Sequence, residues 1–232
     1  MSVEQEAAQL TSPEVGFTFD VPVAFHDLGM HLSDEQRWEH LEEVAAEVWS
    51  GGTPDQRSGV RQLYADVADA AAADGASYAG LCMFATEDDR VSSASLIVRS
   101  ETIEPGEVEA IAAILHETLS LDPDCDVYRT EVEAGPALVQ FTGLQWTPPV
   151  AEGQAPPAAI PMARVDAYLP LPEARSLLVM SLTTPSLPDL PHYVALLSEL
   201  AETVQLLDHG RSSGLPAQQS TESAARVAAA FG

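Results

Sequence analysis

The segments YAGLCMFAT (residues 78–86), EDDR (87–90) and VSSASLIVR (91–99) decide the fold class of this chain. The first is a nearly continuous apolar run, the second is a short charged turn, and the third is again typical of a strand. Two apolar segments joined in this way predict a β-hairpin with much of both strands buried. The residues before the hairpin have helical periodicity, so the chain changes from helix to strand at this point.

Two amphipathic helices are predicted ahead of the hairpin. Ser33 begins the first, with Gln36 at capping-box spacing, and Thr53 begins the second, with Pro54 at its first helical position. The apolar side of the first helix is expected to contain Trp38, Leu41, Ala45, Val48 and Trp49. That of the second is expected to contain Val60, Leu63, Tyr64, Val67 and Ala71.

The rest of the chain adds helices and strands to the same unit. An opening strand is predicted at residues 16–23, a third helix after Pro105, and a last helix from Asp189. Inward-facing residues are expected in the third helix at Val108, Ile111, Ala112, Leu115 and Leu119, and in the last at Tyr193, Leu196, Leu197, Leu200 and Val204. Further strands are predicted at residues 126–133, 137–146, 163–169 and 177–183.

This order predicts a single α+β domain at residues 16–209, a mostly antiparallel sheet flanked by helices. Residues 1–15 are polar and aperiodic, which predicts a flexible arm, and residues 210–232 are expected to form a flexible tail. Residues 147–161 contain five prolines and are expected to form a long loop.

The opening GFTFDVPV (16–23), the paired helices, the hairpin and the closing LVMSLTTP (178–185) resemble uncharacterised actinobacterial proteins of a PsbP/Mog-like fold. The resemblance covers about residues 16–207, and its markers are hydrophobic rather than catalytic. It implies an antiparallel sheet flanked by helices and an accessory role, associated with protein secretion or the cell envelope. One departure is VAFH at residues 23–26, where such proteins often have Gly-Trp.

The charge balance narrows the classes of partner. The chain has ten basic residues, all arginine, against 36 Asp and Glu, for a formal net charge of −26. Nucleic acids and anionic membranes bind through clustered Lys and Arg, so a chain this acidic repels both at long range. Proteins, small molecules and cations remain as partner classes.

The sequence favours a cytoplasmic location. Residues 1–23 carry Glu4 and Glu6 where a secretory signal would be positively charged, and no segment is apolar for long enough to insert in a membrane. Cys82 and Cys125 have no neighbours at metal-binding spacing. Two reduced thiols are the favoured interpretation, and a disulfide between them stays open.

Three patterns resemble metal or catalytic motifs without matching them. Asp122, Asp124, Asp126 and Glu133 imitate a calcium loop, but Val127 stands where the sharp turn needs glycine. His26 and His31 are five residues apart on a predicted loop, and His40 is expected to face solvent, so a zinc site is disfavoured. Ser77 follows a helix and precedes a strand, the reverse of a nucleophile elbow. No cofactor is predicted.

Candidate partner-binding residues lie at the proline-rich loop and in the tail. Trp146 with Pro148 and Pro149 opens the loop, and an aromatic residue beside prolines can form a recognition surface. Val227 and Phe231 have helical spacing in the tail and are candidates for docking on a partner. Trp38 and Trp49 are expected to seal the edge of the core instead.

The leading hypothesis is a non-catalytic cytoplasmic protein that binds a partner protein, and the resemblance implies a link to secretion or the cell envelope. The alternative is a small-molecule-binding protein or enzyme with a pocket between the sheet and the paired helices. Catalysis is disfavoured because no pair of nucleophile and base can be assembled from the sequence. The partner's identity and the oligomeric state are left open.

Overall fold

The computed structural model describes residues 16–88, 90–147 and 158–207. The helices of this part are Asp34–Val48 (α1), Pro54–Ala73 (α2), Val108–Leu119 (α3) and Leu190–Glu202 (α4). Its strands are Gly16–Thr18 (β1), His26–Asp27 (β2), Ala76–Ala85 (β3), Val91–Thr102 (β4), Cys125–Val132 (β5), Gly135–Trp146 (β6), Ile160–Leu171 (β7), Ser176–Thr184 (β8) and Gln205–Leu207 (β9). The predicted α+β fold is confirmed.

Seven strands form one antiparallel sheet in the order β2-β3-β4-β8-β7-β6-β5. The predicted hairpin is β3 and β4, and the last residue pair before its turn is Ala85 with Val91. Strand β8 returns to the middle of the sheet and pairs with β4, while β5, β6 and β7 form a meander on the other side of β8. Strands β1 and β9 make a separate two-stranded sheet.

The sequence signals at the helix starts correspond to real caps. Ser33 caps α1 and Thr53 caps α2, and each forms a complete capping box with the glutamine three residues later. In α2 the Thr53 backbone N–H donates to Gln56 Oε1 at 2.9 Å. These bonds satisfy backbone groups that a helix leaves without partners at its first turn, so both start positions are determined locally.

The sheet has a helix layer on each face. On the α4 face, strand residues such as Leu96, Leu169 and Met180 pack against Tyr193 and Leu200 of α4. On the opposite face, here called the helix-pair face, β3 and β4 pack against α1 and α2 through a second cluster. That cluster contains Leu28, Leu41, Val44, Tyr64, Ala65, Ala68, Ala71 and Ala79. Alternate residues of the strands therefore serve two separate cores.

Helix α3 lies on the helix-pair face, beyond α1 and α2. It contacts β5, β6 and β7, and Glu109 of α3 pairs with Arg129 of β5. Arg129 is opposite Leu138 in the sheet, which places it on this face. Helices α1 and α2 thus cover the β3–β4 end of the helix-pair face, and α3 covers the β5–β7 end.

Two predicted details are wrong, the end of the opening strand and the position of Leu63. The opening strand ends at Thr18 instead of residue 23, because the chain turns at Pro22, whose carbonyl accepts from the Phe25 N–H at 3.0 Å. Leu63 was expected on the buried face of α2 and is 58% exposed. The predicted stripe of α3 is present, since Ala112 is buried and Val108, Ile111, Leu115 and Leu119 are half-buried, while the other residues of this helix are exposed.

The tryptophans of the first helix are only partly covered. Trp38 is 38% exposed and Trp49 is 43% exposed. The guanidinium of Arg61 lies 4.2 Å from the centroid of the Trp38 ring and joins α2 to α1 by a cation–π contact. Trp38 therefore seals the outer seam between the two helices.

We expect the hydroxyl of Tyr193 to stabilise the fold. Tyr193 and Ser92 are fully buried, and their hydroxyl oxygens are 2.8 Å apart. Replacing Tyr193 with Phe should lower the free energy of unfolding by about 1–2 kcal/mol, because a buried hydrogen bond is lost while the ring stays packed. Urea unfolding measures this, with Tyr128→Phe as the matched control, since Tyr128 is 57% exposed. Equal stability of the two variants would contradict the role given to this bond.

Candidate functional site

The hairpin of β6 and β7 extends beyond its neighbours in the sheet. Strand β5 stops pairing at Cys125, opposite Thr142, and β8 stops at Thr184, opposite Ala163. Residues 144–146 nevertheless remain paired with residues 160–162. We call these two segments the arm. Pro161 fits here because proline cannot donate a ladder hydrogen bond and is tolerated where a neighbouring strand has ended.

One face of the arm is apolar. Trp146 is opposite Ile160, and Leu144 is opposite Met162. Because residues alternate between the faces of a strand, these four side chains share one face, which we call the arm patch. Trp146 is 49% exposed and Leu144 is 36% exposed, while Ile160 and Met162, beside them on the neighbouring strand, are half-buried.

The same face of β6 and β7 becomes polar towards the middle of the sheet. Gln140, Asp166 and Ser181 are directly opposite one another on β6, β7 and β8. We call these three residues and Arg164 the polar stripe. Arg164 lies between the arm patch and Asp166, and its Nε is 2.8 Å from Asp166 Oδ2.

The side chains of the polar stripe form hydrogen bonds with one another and with Tyr168. Asp166 is 3% exposed and accepts hydrogen bonds from Arg164 and from the hydroxyl of Ser181. Tyr168 donates to Gln140 Oε1 at 3.0 Å, and burial raises the pKa of the Tyr168 phenol above its usual value of about 10. A buried carboxylate needs such partners to remain charged. These hydrogen bonds hold the polar stripe in place as a polar surface beside the arm patch.

Sequence reasoning missed the polar stripe, although a signal exists. Gln140 and Thr142 stand at alternate positions of β6, and Arg164 and Asp166 at alternate positions of β7. Polar residues at every second position of a buried strand indicate a face that is not purely hydrophobic. Their meeting across the sheet depends on the register, which the sequence pattern does not specify.

The predicted partner-binding residues are only partly within the described chain. Trp146 is exposed at the end of β6, and its role in binding a partner stays a prediction. Pro148 and Pro149, which follow after Thr147, lie outside the described residues, as do Val227 and Phe231. Of the predicted loop at 147–161, residues 160 and 161 belong to β7.

The histidines take structural positions. His40 was expected to face solvent, but it is half-buried, and its Nε2 is 2.7 Å from the Asp27 carbonyl oxygen, which joins α1 to β2. His26 lies 3.8 Å from Glu47, and His31 lies 3.8 Å from Asp27. Among residues 16–88, 90–147 and 158–207, no group of three His, Cys, Asp or Glu side chains could hold a metal ion.

Two further motif-like segments have structural explanations. Asp122 accepts a hydrogen bond from the Asp124 N–H at 3.0 Å, and the chain then enters β5 at Cys125. A strand therefore follows where a calcium loop would lead into a helix, as predicted. Ser77 lies at the start of β3 and donates to the Val98 carbonyl at 3.2 Å.

The space between the sheet and the helix pair is filled by side chains. Leu41, Tyr64 and Ala68 belong to one packed cluster with Ala79, and each is almost fully buried. The alternative hypothesis placed a pocket here. A groove of about 610 Å³ lies instead at the edge of the sheet, between β3 and the segment that follows β1.

No protein-family model matches the chain, and no curated protein matches it in sequence. No helix within the described ranges is long and apolar enough to cross a membrane.

We expect the two cysteines to differ in reactivity. Both are free thiols, so the disulfide that the sequence left open is not formed. Cys82 is 2% exposed, and burial raises its pKa, so little reactive thiolate is present there. Cys125 is half-buried. With Ellman's reagent at pH 8, one thiol should react quickly and the second only after urea is added.

The Cys125→Ser variant should lose the fast phase, whereas Cys82→Ser should keep it. Two equally fast thiols would contradict the buried position of Cys82. No reaction in unfolded, unreduced protein would indicate a disulfide.

Proposed function

We propose that this chain is a cytoplasmic, non-catalytic accessory protein that binds another protein through the arm. The observation that carries the proposal is the arm patch, where Leu144 and Trp146 stand exposed on a strand pair that extends beyond the sheet. Exposed tryptophan on a rigid element is a frequent centre of protein interfaces, because a large apolar area is buried with few rotamers to immobilise.

Arg164 of the polar stripe supplies a polar border for such an interface, since the other three residues of the stripe are buried. The arm patch alone is smaller than the roughly 800 Å² per partner that a stable interface buries. A partner lying on the patch would therefore continue onto Arg164, whose side chain is 34% exposed. Because Arg164 is held by Asp166, little side-chain entropy is lost when a partner binds it.

Charge defines the chemistry of the partner. The chain has a net charge of −26. Arg61, Arg90 and Arg129 each form an ion pair with a carboxylate of the same chain. The partner we propose is a protein with an apolar segment flanked by Lys or Arg, which the acidic surface would steer towards the arm. Nucleic acid is disfavoured as a partner for the same reason.

Catalysis is not part of the proposal. Ser181 is a hydroxyl beside a carboxylate, but it is 8% exposed and donates to Asp166 within the sheet. A nucleophile must reach its substrate and needs a base to accept its proton. The paired, buried state of Asp166 supports a structural role. The resemblance to PsbP/Mog-like proteins directs the first search for a partner to protein secretion and the cell envelope.

We expect Trp146→Ala to abolish partner binding while preserving the fold. Tagged wild-type protein, Trp146→Ala and Trp49→Ala would be purified from the native host, and the accompanying proteins quantified by mass spectrometry. Trp49 is 43% exposed but lies at the end of α1, away from the arm, which makes it a matched control. Recovery of the partner should fall by about tenfold or more with Trp146→Ala alone.

Higher salt should also reduce recovery from the wild type, because it screens the attraction between the acidic chain and a basic partner. Unchanged thermal unfolding of both variants would show that folding is intact. Equal recovery with the two variants, or a wild-type protein that purifies alone, would contradict the proposal.

A further inference from the structure

A groove lined mainly by apolar side chains, four of them aromatic, lies on the α4 face, at the edge of the sheet formed by β2 and β3. Its volume is about 610 Å³. Its walls are formed by Phe17, Phe19, Val21, Pro22, Val23, Phe25, Asp27, Ser77 and Tyr78. We call it the N-terminal groove. Phe19 and Tyr78 meet edge to face with their centroids 6.3 Å apart, so the walls are held by packed rings.

Two positions in the N-terminal groove have incomplete contacts among the described residues, the Val23 side chain and the Tyr78 hydroxyl. Val23 is 59% exposed although it stands among aromatic side chains. The Tyr78 hydroxyl is buried over Gly80, and among the described residues it has no hydrogen-bond partner. Burial raises the pKa of this phenol, with a further contribution from the charge of Asp27. An apolar segment that also carries polar groups would cover the Val23 side chain and form a hydrogen bond with the Tyr78 hydroxyl.

We propose that the N-terminal groove is the docking site for the C-terminal segment of this same chain, residues 208–232, with Val227 and Phe231 as the apolar anchors. The segment starts beside the groove. Leu207 ends β9, and β9 pairs with β1 so that Leu206 is opposite Phe17, a wall of the groove. Leu206 is 37% exposed and continues the apolar surface towards the beginning of the segment.

Chain length permits this contact. Twenty residues separate Leu207 from Val227. A chain of this length reaches at most about 65 Å, which exceeds the distance across a domain of this size. Because the segment is joined to the domain, its concentration at the groove is on the order of millimolar, so a weak contact is sufficient.

The difference in net charge favours residues 208–232 over residues 1–15 as the segment that docks in the groove. Residues 208–232 contain Arg211 and Arg226 against Asp208 and Glu222 and have a formal net charge of zero. Residues 1–15 contain Glu4, Glu6 and Glu14 and have a net charge of −3. Asp27 stands at the groove with 38% of its side chain exposed. Arg226, next to Val227, would therefore be attracted to a site that repels the N-terminal residues.

The test is reciprocal protection of amide hydrogens in the full-length chain, measured by hydrogen exchange and mass spectrometry. The groove variant is Val23→Glu, which alters an exposed side chain and should leave the fold intact. The segment variant is Val227→Ser with Phe231→Ser. The groove variant should speed exchange about tenfold at residues 221–231. The segment variant should speed exchange about tenfold at residues 17–27, because docking stabilises both the groove and the segment.

The matched controls are Val91→Glu and Ala229→Ser. Val91 is 63% exposed at the β3–β4 turn, so the same charge is added away from the groove. Both controls should leave exchange in the two segments at the wild-type rate. Coupling that is the same at low and high protein concentration would support docking within one chain.

Three results would overturn the proposal. The first is exchange at residues 17–27 that is unaffected by Val227→Ser with Phe231→Ser. The second is faster exchange at residues 1–15 instead of 221–231 in Val23→Glu, which would assign the groove to the N-terminal residues. The third is coupling that appears only at high protein concentration, which would assign it to a second copy of the chain. Loss of partner binding by Trp146→Ala is independent of all three.

Discussion

The pairing of β4 with β8 is the constraint on which the remainder of the described structure depends. It joins residues 95–102 to residues 176–183, far apart in the chain, in the centre of the sheet. Leu96, Val98, Leu178, Met180 and Leu182 form the buried surface of this pair, and each is at most 1% exposed. Without it, the β2–β4 portion with its helix pair and the β5–β8 meander would have no common sheet, and α4 would have no continuous surface to cover.

The same pairing places different chemistry on the two faces. On the α4 face the central strands present large apolar side chains, and one helix covers them. On the helix-pair face the central position is occupied by Ser181, Asp166 and Gln140, because the register aligns them. Buried polar groups are retained only where their hydrogen bonds are complete, and Asp166 meets this condition through Arg164 and Ser181. The polar stripe and the arm beside it are consequences of one register.

Local features of the fold could be predicted from the sequence, while long-range ones could not. The caps at Ser33 and Thr53, the β3–β4 hairpin and the buried side of α4 each depend on neighbouring residues, and all are present. The partner of β4 could not be predicted, because any buried apolar strand satisfies the same pattern. The polar stripe was missed for this reason, and His40 was misplaced because its acceptor, the Asp27 carbonyl, belongs to another element. Exposure of Trp146 was predictable, since the chain beyond it is rich in proline.

The central position of β8 also affects how the chain must fold during synthesis. The β3–β4 hairpin and the helix pair are complete once residue 102 has been made, but the inner edge of β4 has no partner until residues 176–183 follow. At typical rates of synthesis that interval lasts from about 4 to 15 s, far longer than a hairpin needs to form. During this time an apolar strand edge, including Leu96 and Val98, is open to pairing with other chains. Residues 1–102 alone contain 19 Asp and Glu against five Arg, a formal net charge of −14, so unfinished chains repel one another and such pairing is disfavoured.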